Sequence, residues 1–338
     1  MKSLAFFNNK GGVGKTTLLC NLASYLQLRK NKKILIIDAD PQCNASSYVL
    51  SVDDFYKAYY SEQSFYNEQT FTINNLIYPL KKGQGYVEDY DVIASQSFGI
   101  DLIPGTPRFA RVEDFLSKDW VDVKAADIRG IRTNMLFIHF LTLCHKYDYV
   151  FFDMGPSLGA INRAVLLACD YFLTPMSSDI FSLLALENIG ISINEWKKDF
   201  NDSIKKLGFE EKKALDGLKE SCEIKFIGYI EQQYISKSVD GKNVAVRSYE
   251  KILDRIPEEI ADRIVNPIND GFNEVNYNLG SIPNFYSLIP MSQSAHKPIF
   301  NLTSTDGVLG AHYKKVNDYL NLIEKIASKV INNMEAIK

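Results

Sequence analysis

The sequence predicts an α/β protein, a doubly wound and mostly parallel sheet flanked by helices, with helical insertions. Three observations carry that expectation. The apolar run Leu4-Ala5-Phe6-Phe7 passes through a glycine-rich loop into Leu18, Leu19, Leu22, Ala23 and Leu26, which recur at helical spacing. Two further runs, Ile34-Leu35-Ile36-Ile37 and Tyr149-Val150-Phe151-Phe152, are continuously apolar and each ends on an aspartate. That pattern suits strands buried on both faces of a parallel sheet, whose carboxyl ends carry ligands. Apolar residues Val316, Leu320, Ile323, Ala327 and Val330 then recur three or four apart, as in a helix packed on such a sheet.

The first loop reads Asn9-Lys10-Gly11-Gly12-Val13-Gly14-Lys15-Thr16-Thr17. Between a strand and a helix, such a loop aims backbone N–H groups at one point, and the unpaired N–H groups of the helix start add positive potential there. The ligand it suits is a polyphosphate. Lys15 is spaced to reach terminal phosphates and the Thr16 hydroxyl to ligate Mg²⁺. The ordinary phosphate-loop consensus asks for glycine at position 9, where this chain has asparagine, and a second lysine, Lys10, opens the loop instead.

This Lys-Gly-Gly-Val-Gly-Lys-Thr-Thr string resembles the deviant Walker A motif of the ParA/MinD family of P-loop ATPases, and the chain reads as a ParA/Soj-like member. The resemblance implies that residues 10–17 (Lys10, Gly11, Gly12, Val13, Gly14, Lys15, Thr16 and Thr17) hold ATP or ADP. It also implies a homodimer in the ATP state, with Lys10 reaching the nucleotide of the partner subunit.

Composition sets the outer limits. The 338 residues are 46% hydrophobic and 23% charged, an ordinary globular balance. No run approaches the roughly 18 apolar residues of a membrane span, and no secretory leader is expected. Five scattered cysteines without a C-x-x-C pair read as reduced structural thiols in a cytosol. The formal net charge of −3 supplies no global attraction to nucleic acid, so DNA binding would need a local basic patch.

The second strand delivers Asp38-Ala39-Asp40-Pro41-Gln42-Cys43-Asn44. Two aspartates beside a phosphate loop have a chemical use: one holds the Mg²⁺ hydration shell and the other orients a water for attack on the γ-phosphate. The string resembles the first switch of ParA-type ATPases, which assigns Asp38 to the metal shell and Asp40 to the water. Asp153, closing the strand Tyr149–Phe152, reads as a Walker B carboxylate near Mg²⁺. The following Met154-Gly155-Pro156-Ser157-Leu158-Gly159 resembles the family's second switch, with Met154 and Gly155 as departures. Catalysis is thus expected from Lys10, Lys15 and Asp40, and metal ligation from Thr16, Asp38 and Asp153.

The remaining chain is read more coarsely. Helices are expected near 53–60 and 73–80, a short strand at Ile100–Ile103, a small helix at Arg111–Leu116, and a surface segment from Trp120 to Arg132 before a helix at Met135–Cys144. A helix at Ala160–Cys169 and a strand at Tyr171–Pro175 follow. Asp179 to Glu187 resembles the family segment that packs the dimer. Trp196 to Glu220, rich in lysine and glutamate, reads as a solvated helix pair. After the strand Ile224–Ile230, Gln232 stands where family members read the adenine. Leu288-Ile289-Pro290, followed by Ser294-Ala295-His296-Lys297-Pro298, resembles the late family strand and its following base-side loop, which places Pro290 beside the nucleotide. An arginine linked to DNA contact in the family would align near Leu288, and it is missing. The chain is expected to be one ATPase domain, 1–338, with insertions at about 51–90, 119–133, 200–222 and 236–280.

The resemblance implies a cytoplasmic ATPase whose hydrolysis times plasmid or chromosome partition, with nonspecific nucleoid DNA and a centromere-binding partner protein. A regulatory switch acting through protein partners, without strong DNA binding, is the alternative. A MinD-like membrane-positioning ATPase is disfavoured, because the tail around Met334 and Ile337 has little basic charge and no bulky aromatic anchor, and reads as core.

Overall fold

A computed structural model describes residues 1–60, 70–177, 179–215, 217–219, 221–234, 236–239, 242–245 and 254–337. The polar and aromatic stretch 61–69 of the first insertion, positions 216 and 220 of the third, and 246–253 of the last lie outside the described residues. Strands β1 (Lys2–Phe6), β2 (Ile34–Asp38), β3 (Ile93–Ala94), β4 (Asp101–Ile103), β5 (Tyr149–Asp153), β6 (Tyr171–Ser177), β7 (Lys225–Tyr234) and β10 (Asn278–Pro283) build one eight-stranded sheet. Its order is β10-β7-β6-β1-β5-β2-β4-β3, and every pairing is parallel except that of the edge strand β3 with β4. A separate antiparallel hairpin joins β8 (Ser236–Val239) and β9 (Lys242–Ala245).

Alternation along the central strands decides the layers. Ala5, Leu35, Ile37, Val150 and Phe152 face one side, Leu4, Phe6, Ile34, Ile36 and Phe151 the other, and all are buried. Helices α1 (Lys15–Lys30) and α2 (Asn44–Val49) cover the second side. After α3 (Val52–Tyr60), the first side is covered by α4 (Ile73–Lys81), α5 (Val112–Lys124), α6 (Ile128–Asn134), α7 (Leu136–Leu143), α8 (Ala160–Ala168) and α9 (Ile180–Lys206). The short α10 (Phe209–Lys213), α11 (Ile256–Ile260) and α12 (Asn266–Ile268) follow. Then α13 (Leu288–Ala295) and α14 (His312–Ala336) return to the α1 side. Continuous apolar strands are therefore explained by two covered faces.

Four local expectations change. The segment Trp120 to Arg132 is not a surface excursion: it forms the end of α5 and most of α6, and Trp120, Val123 and Ile131 are buried against the sheet-side core. The run Leu288-Ile289-Pro290 is helical, and the last strand of the sheet lies earlier, at Asn278–Pro283. A proline is tolerated near a helix start because its missing N–H has no partner to lose there. The polar stretch after Trp196 does not form a pair of comparable helices. It continues α9, a 27-residue helix that Asp179 caps by accepting from the Ser182 N–H at 3.2 Å, and ends in the five-residue α10. In the stretch expected as the last insertion, 236–280, the described residues include the antiparallel strands β8 and β9 beside the helical pieces α11 and α12.

At the carboxyl terminus α14 runs to Ala336, and Met334 and Ile337 are buried, so the tail belongs to the core as expected. No described helix is long and apolar enough to cross a membrane. All five cysteines are buried and free.

Candidate nucleotide site

The carboxyl ends of β1, β2 and β5 lie side by side, and the parallel register fixes what meets there. Asp153 is the register partner of Phe6 on one neighbour and of Asp38 on the other. Paired strands are about 4.8 Å apart, so Asp38 and Asp153 become adjacent carboxylates although 115 residues separate them in sequence. Both are fully buried.

Above these strand ends the loop after β1 wraps into α1. Gly12 and Gly14 take φ values of 74° and 75°, the left-handed region that side chains with a Cβ adopt at a cost, and Gly14 is the N-cap of α1. No side chain caps this helix, so its first N–H groups are left to face a ligand. Lys15 begins α1, is only 8% exposed, and turns back over the loop, where its amine lies 3.3 Å from the Asn8 carbonyl and 3.4 Å from that of Lys10. Burial lowers its pKa, against the pull of Asp153 and Asp40. The next residue, Thr16, donates from its hydroxyl to Asp153 Oδ2 at 2.7 Å.

The acids differ in their surroundings. Burial pushes the Asp153 carboxyl up to about 7, and the Asp40 charge adds to this, while the Thr16 hydrogen bond and Lys15 oppose it. Burial and the Asp153 charge raise Asp38 as well, although Ser46 donates to its Oδ2 from both N–H (2.8 Å) and hydroxyl (2.6 Å). Asp40 lies at the cleft wall, where its Oδ1 accepts the Gln42 N–H at 3.0 Å.

The cleft is about 630 Å³ in volume. Gly11, Gly12, Val13, Gly14, Lys15, Thr16, Thr17 and Asp40 line it, together with Gln42, Asn44, Ser47 and Tyr48 after β2, Pro156 after β5, and Ile289, Gln293 and His296 on α13 or just past it. Asp38 and Asp153 form its floor from behind and do not line it. Lys10 also stands outside the lining: its amine pairs with Asp179 of its own chain and donates to the Ser177 hydroxyl at 2.9 Å. Gln232 is buried beside the loop, donating to the Gly14 carbonyl at 3.2 Å, and supports the loop rather than the cleft wall. Pro290 is exposed on α13, whereas Ile289 and Gln293 of the same helix reach the cleft. His296 lies in the stretch 294–298 that the resemblance makes the base-side loop, and it does line the cleft, whereas Gln293 belongs to no stretch that the sequence singles out. No motif announces Gln293: it reaches the cleft from α13, whose Ser292 hydroxyl lies 2.5 Å from the Tyr48 hydroxyl of α2.

The donors suit a divalent cation. Asp153 Oδ1 is a buried oxygen without a hydrogen-bond partner next to the Thr16 hydroxyl, and hard oxygen donors of this kind fit Mg²⁺. Among the described residues no cluster of three or more His, Cys, Asp or Glu forms a self-sufficient metal centre, so ligand and solvent oxygens would complete the shell.

A parallel sheet whose first strand feeds a glycine loop, a buried lysine and a hydroxyl bonded to a strand-end aspartate defines a P-loop nucleotide-binding protein. Residues 1–206 match the AAA_31 family model, an AAA domain. The chain belongs to the ParA/MinD family of P-loop ATPases. It is 30% identical over 190 residues to the virulence plasmid ParA family protein pGP5-D of Chlamydia psittaci, covering 56% of this chain and 62% of that relative. Less than two thirds of that relative's length is therefore spanned. Among solved structures, protein DIP2308 of Corynebacterium diphtheriae is similar with a TM-score of 0.73 and 27% identity over 99% of both chains. A putative plasmid partition protein of Borrelia burgdorferi, bound to AMPPNP, shares the fold with a TM-score of 0.56 and 22% identity over 98% of both chains.

Proposed function

We propose that this protein is a Mg²⁺-dependent ATPase, one ATPase domain over residues 1–338, whose ATP state is a sandwich dimer and whose hydrolysis times a partition process through DNA and a partner protein. Lys15, Thr16 and Asp40 lining one cleft, with Asp153 bonded to Thr16, support this reading most directly. The partition role is supported by the pGP5-D relative and by the Borrelia partition protein with its bound ATP analogue.

In this reading the loop N–H groups and the Lys15 ammonium hold the phosphates, and both stabilise charge that grows on the transferred phosphoryl oxygens. Thr16 and Asp153, with Asp38 behind them, would hold Mg²⁺, which supplies electrostatic neutralisation of the phosphate oxygens. Asp40 orients the attacking water from the cleft wall. Lys10 leaves Asp179 and serves the partner's site. Gln293 and His296 lie where the nucleoside end would rest. Loss of the γ-phosphate releases the loops after β2 and β5, and the dimer loosens.

Lys15→Ala tests the assignment: ATP binding and turnover should both fall below detection, and turnover equal to wild type would overturn it. A second reading, a switch that works through protein partners alone, is favoured by Leu288, a fully buried leucine near which the family's DNA-linked arginine would align. A salt titration of nonspecific duplex binding separates the two. Steep salt dependence seen only with ATP supports partition on DNA, and no binding at any salt supports the switch.

A further inference from the structure

The segment after β5, residues 154–159, is held at both ends by groups far from it in sequence. Its leading end is Asp153, bonded to Thr16. Its trailing end is the start of α8, and there the helix lacks a cap of its own, because its N-cap residue is Gly159. The missing acceptor comes from α5. The Glu113 carboxylate takes the Ala160 N–H on Oε1 and the Ile161 N–H on Oε2, the latter at 3.0 Å. A Cβ at position 159 would overlap this carboxylate where it stands, so glycine there lets Glu113 come this close to the helix start.

The contact is reciprocal. Arg163, one turn into α8 and mostly buried, donates to the Leu116 carbonyl of α5 at 3.3 Å and lies 4.1 Å over the Trp120 ring. Burial lowers the Arg163 pKa to about 10, with the Glu113 charge opposing that shift. From the same first turn of α8, Asn162 donates to the Gly155 carbonyl at 2.7 Å and the Ser157 carbonyl at 2.6 Å. Gly155 in turn packs beside Asp40, whose Oδ1 would lie 3.3 Å from a Cβ at that position. A continuous path therefore runs from Glu113 through the α8 start and Asn162 to the backbone facing Asp40.

We infer that Glu113 is a positioning residue for hydrolysis: by capping α8 from α5 it fixes the segment 154–159 against Asp40. This rests on the ATPase reading above. A carboxylate across the first turn of a helix satisfies N–H groups and complements the helix dipole, and its loss lets that turn fray. Fraying would loosen Asn162, and with it Gly155, while the phosphate loop stays intact.

The test uses the full chain as wild type, Glu113→Ala and the double variant Glu113→Ala/Gly159→Ser. Serine at 159 gives α8 its own cap, in a backbone conformation (φ −85°, ψ −179°) that suits an N-cap and in space that the missing carboxylate vacates. Expected are a roughly tenfold fall in kcat for ATP in Glu113→Ala with KM within twofold, and recovery of most of that loss in the double variant. Amide exchange of residues 155–162 should accelerate in Glu113→Ala and slow again in the double variant, while that of residues 10–17 stays constant. Unchanged kcat with unchanged exchange, or a KM rising with the fall in kcat, overturns the inference. If wild type itself does not turn over ATP, the ATPase reading fails, and the exchange comparison alone still decides whether Glu113 holds the segment. A double variant whose exchange recovers but whose kcat does not would make the cap structural only, and also overturns the positioning role.

Discussion

Lys10 and Asp179 form an ion pair within one chain. The lysine that opens the phosphate loop lies against the residue that caps α9, and Ser177 donates to the same carboxylate at 2.6 Å. Burial would raise the Asp179 carboxyl, but the bonds from Lys10 and Ser177 outweigh it and hold the pKa below its ordinary value. In the proposed dimer Lys10 must leave this partner. Beside the pair, Phe181 and Leu184 expose apolar side chains on the first turns of α9, the surface a second subunit would cover.

Asp179→Asn should therefore favour the dimer. Asparagine keeps the helix cap but drops the charge that retains Lys10, and a half-exposed ion pair is worth about 0.2–1 kcal/mol. Two such pairs open per dimer, so the ATP-dependent dimerisation constant, measured by light scattering with a nonhydrolysable analogue, should rise about two- to thirtyfold. Lys10→Ala should abolish that dimer and leave nucleotide binding by the monomer largely intact. Persistence of the dimer in Lys10→Ala would remove the cross-subunit role.

Asp40 lines the cleft and Asp38 does not, which separates two acids that stand two residues apart. Asp40→Asn preserves the loop hydrogen bond from Gln42 while weakening the acceptor for water. Turnover should fall by about 10²- to 10⁴-fold, with ATP affinity within a few-fold of wild type. A parallel loss of affinity would mean that Asp40 holds the loop rather than the water.

The acid pair gives a pH signature to the nucleotide-free protein. The native pKa of Asp153 is raised to about 7, so the folded state binds this proton more tightly than the unfolded chain does. Its contribution favours folding fully below the unfolded value near 4 and is lost as pH rises through about 7. Asp153→Asn removes the buried charge. At pH 8 its melting temperature should exceed that of wild type by about 2–4 °C, with a flatter profile between pH 4 and 7. A variant less stable than wild type at pH 8 would contradict this account.

The carboxyl-terminal helix is tested by Met334→Ala. Met334 is buried, and its carbonyl accepts from Tyr171 at 3.0 Å and from the Lys2 ammonium at 2.6 Å, which ties the tail to β1 and β6. Truncation should cost about 2–5 kcal/mol in urea unfolding. Unchanged stability together with weakened binding to anionic vesicles would assign the tail to a membrane instead.

Local patterns made much of this protein legible. Strands buried on both faces announce themselves as continuous apolar runs, and a phosphate loop is a contiguous string, so β1, β2, β5 and residues 10–17 needed no tertiary information. Asp40 and Asp153 were legible for the same reason, since each closes or follows such a run. Other features depend on distant partners. Leu288 to Pro290 resembles the family's late strand, but the chain is helical there and the last strand lies at Asn278–Pro283. Trp120 looks like a surface residue until Arg163 is stacked on it. By itself the sequence determined the sheet class and the phosphate-binding chemistry, because both are written in short-range spacing. Only the tertiary structure decided that Gln293 faces the cleft, that Asp38 and Asp153 stand outside its lining, and that Lys10 is paired with Asp179. Strand register and helix packing join residues more than a hundred positions apart, and no local pattern encodes those meetings.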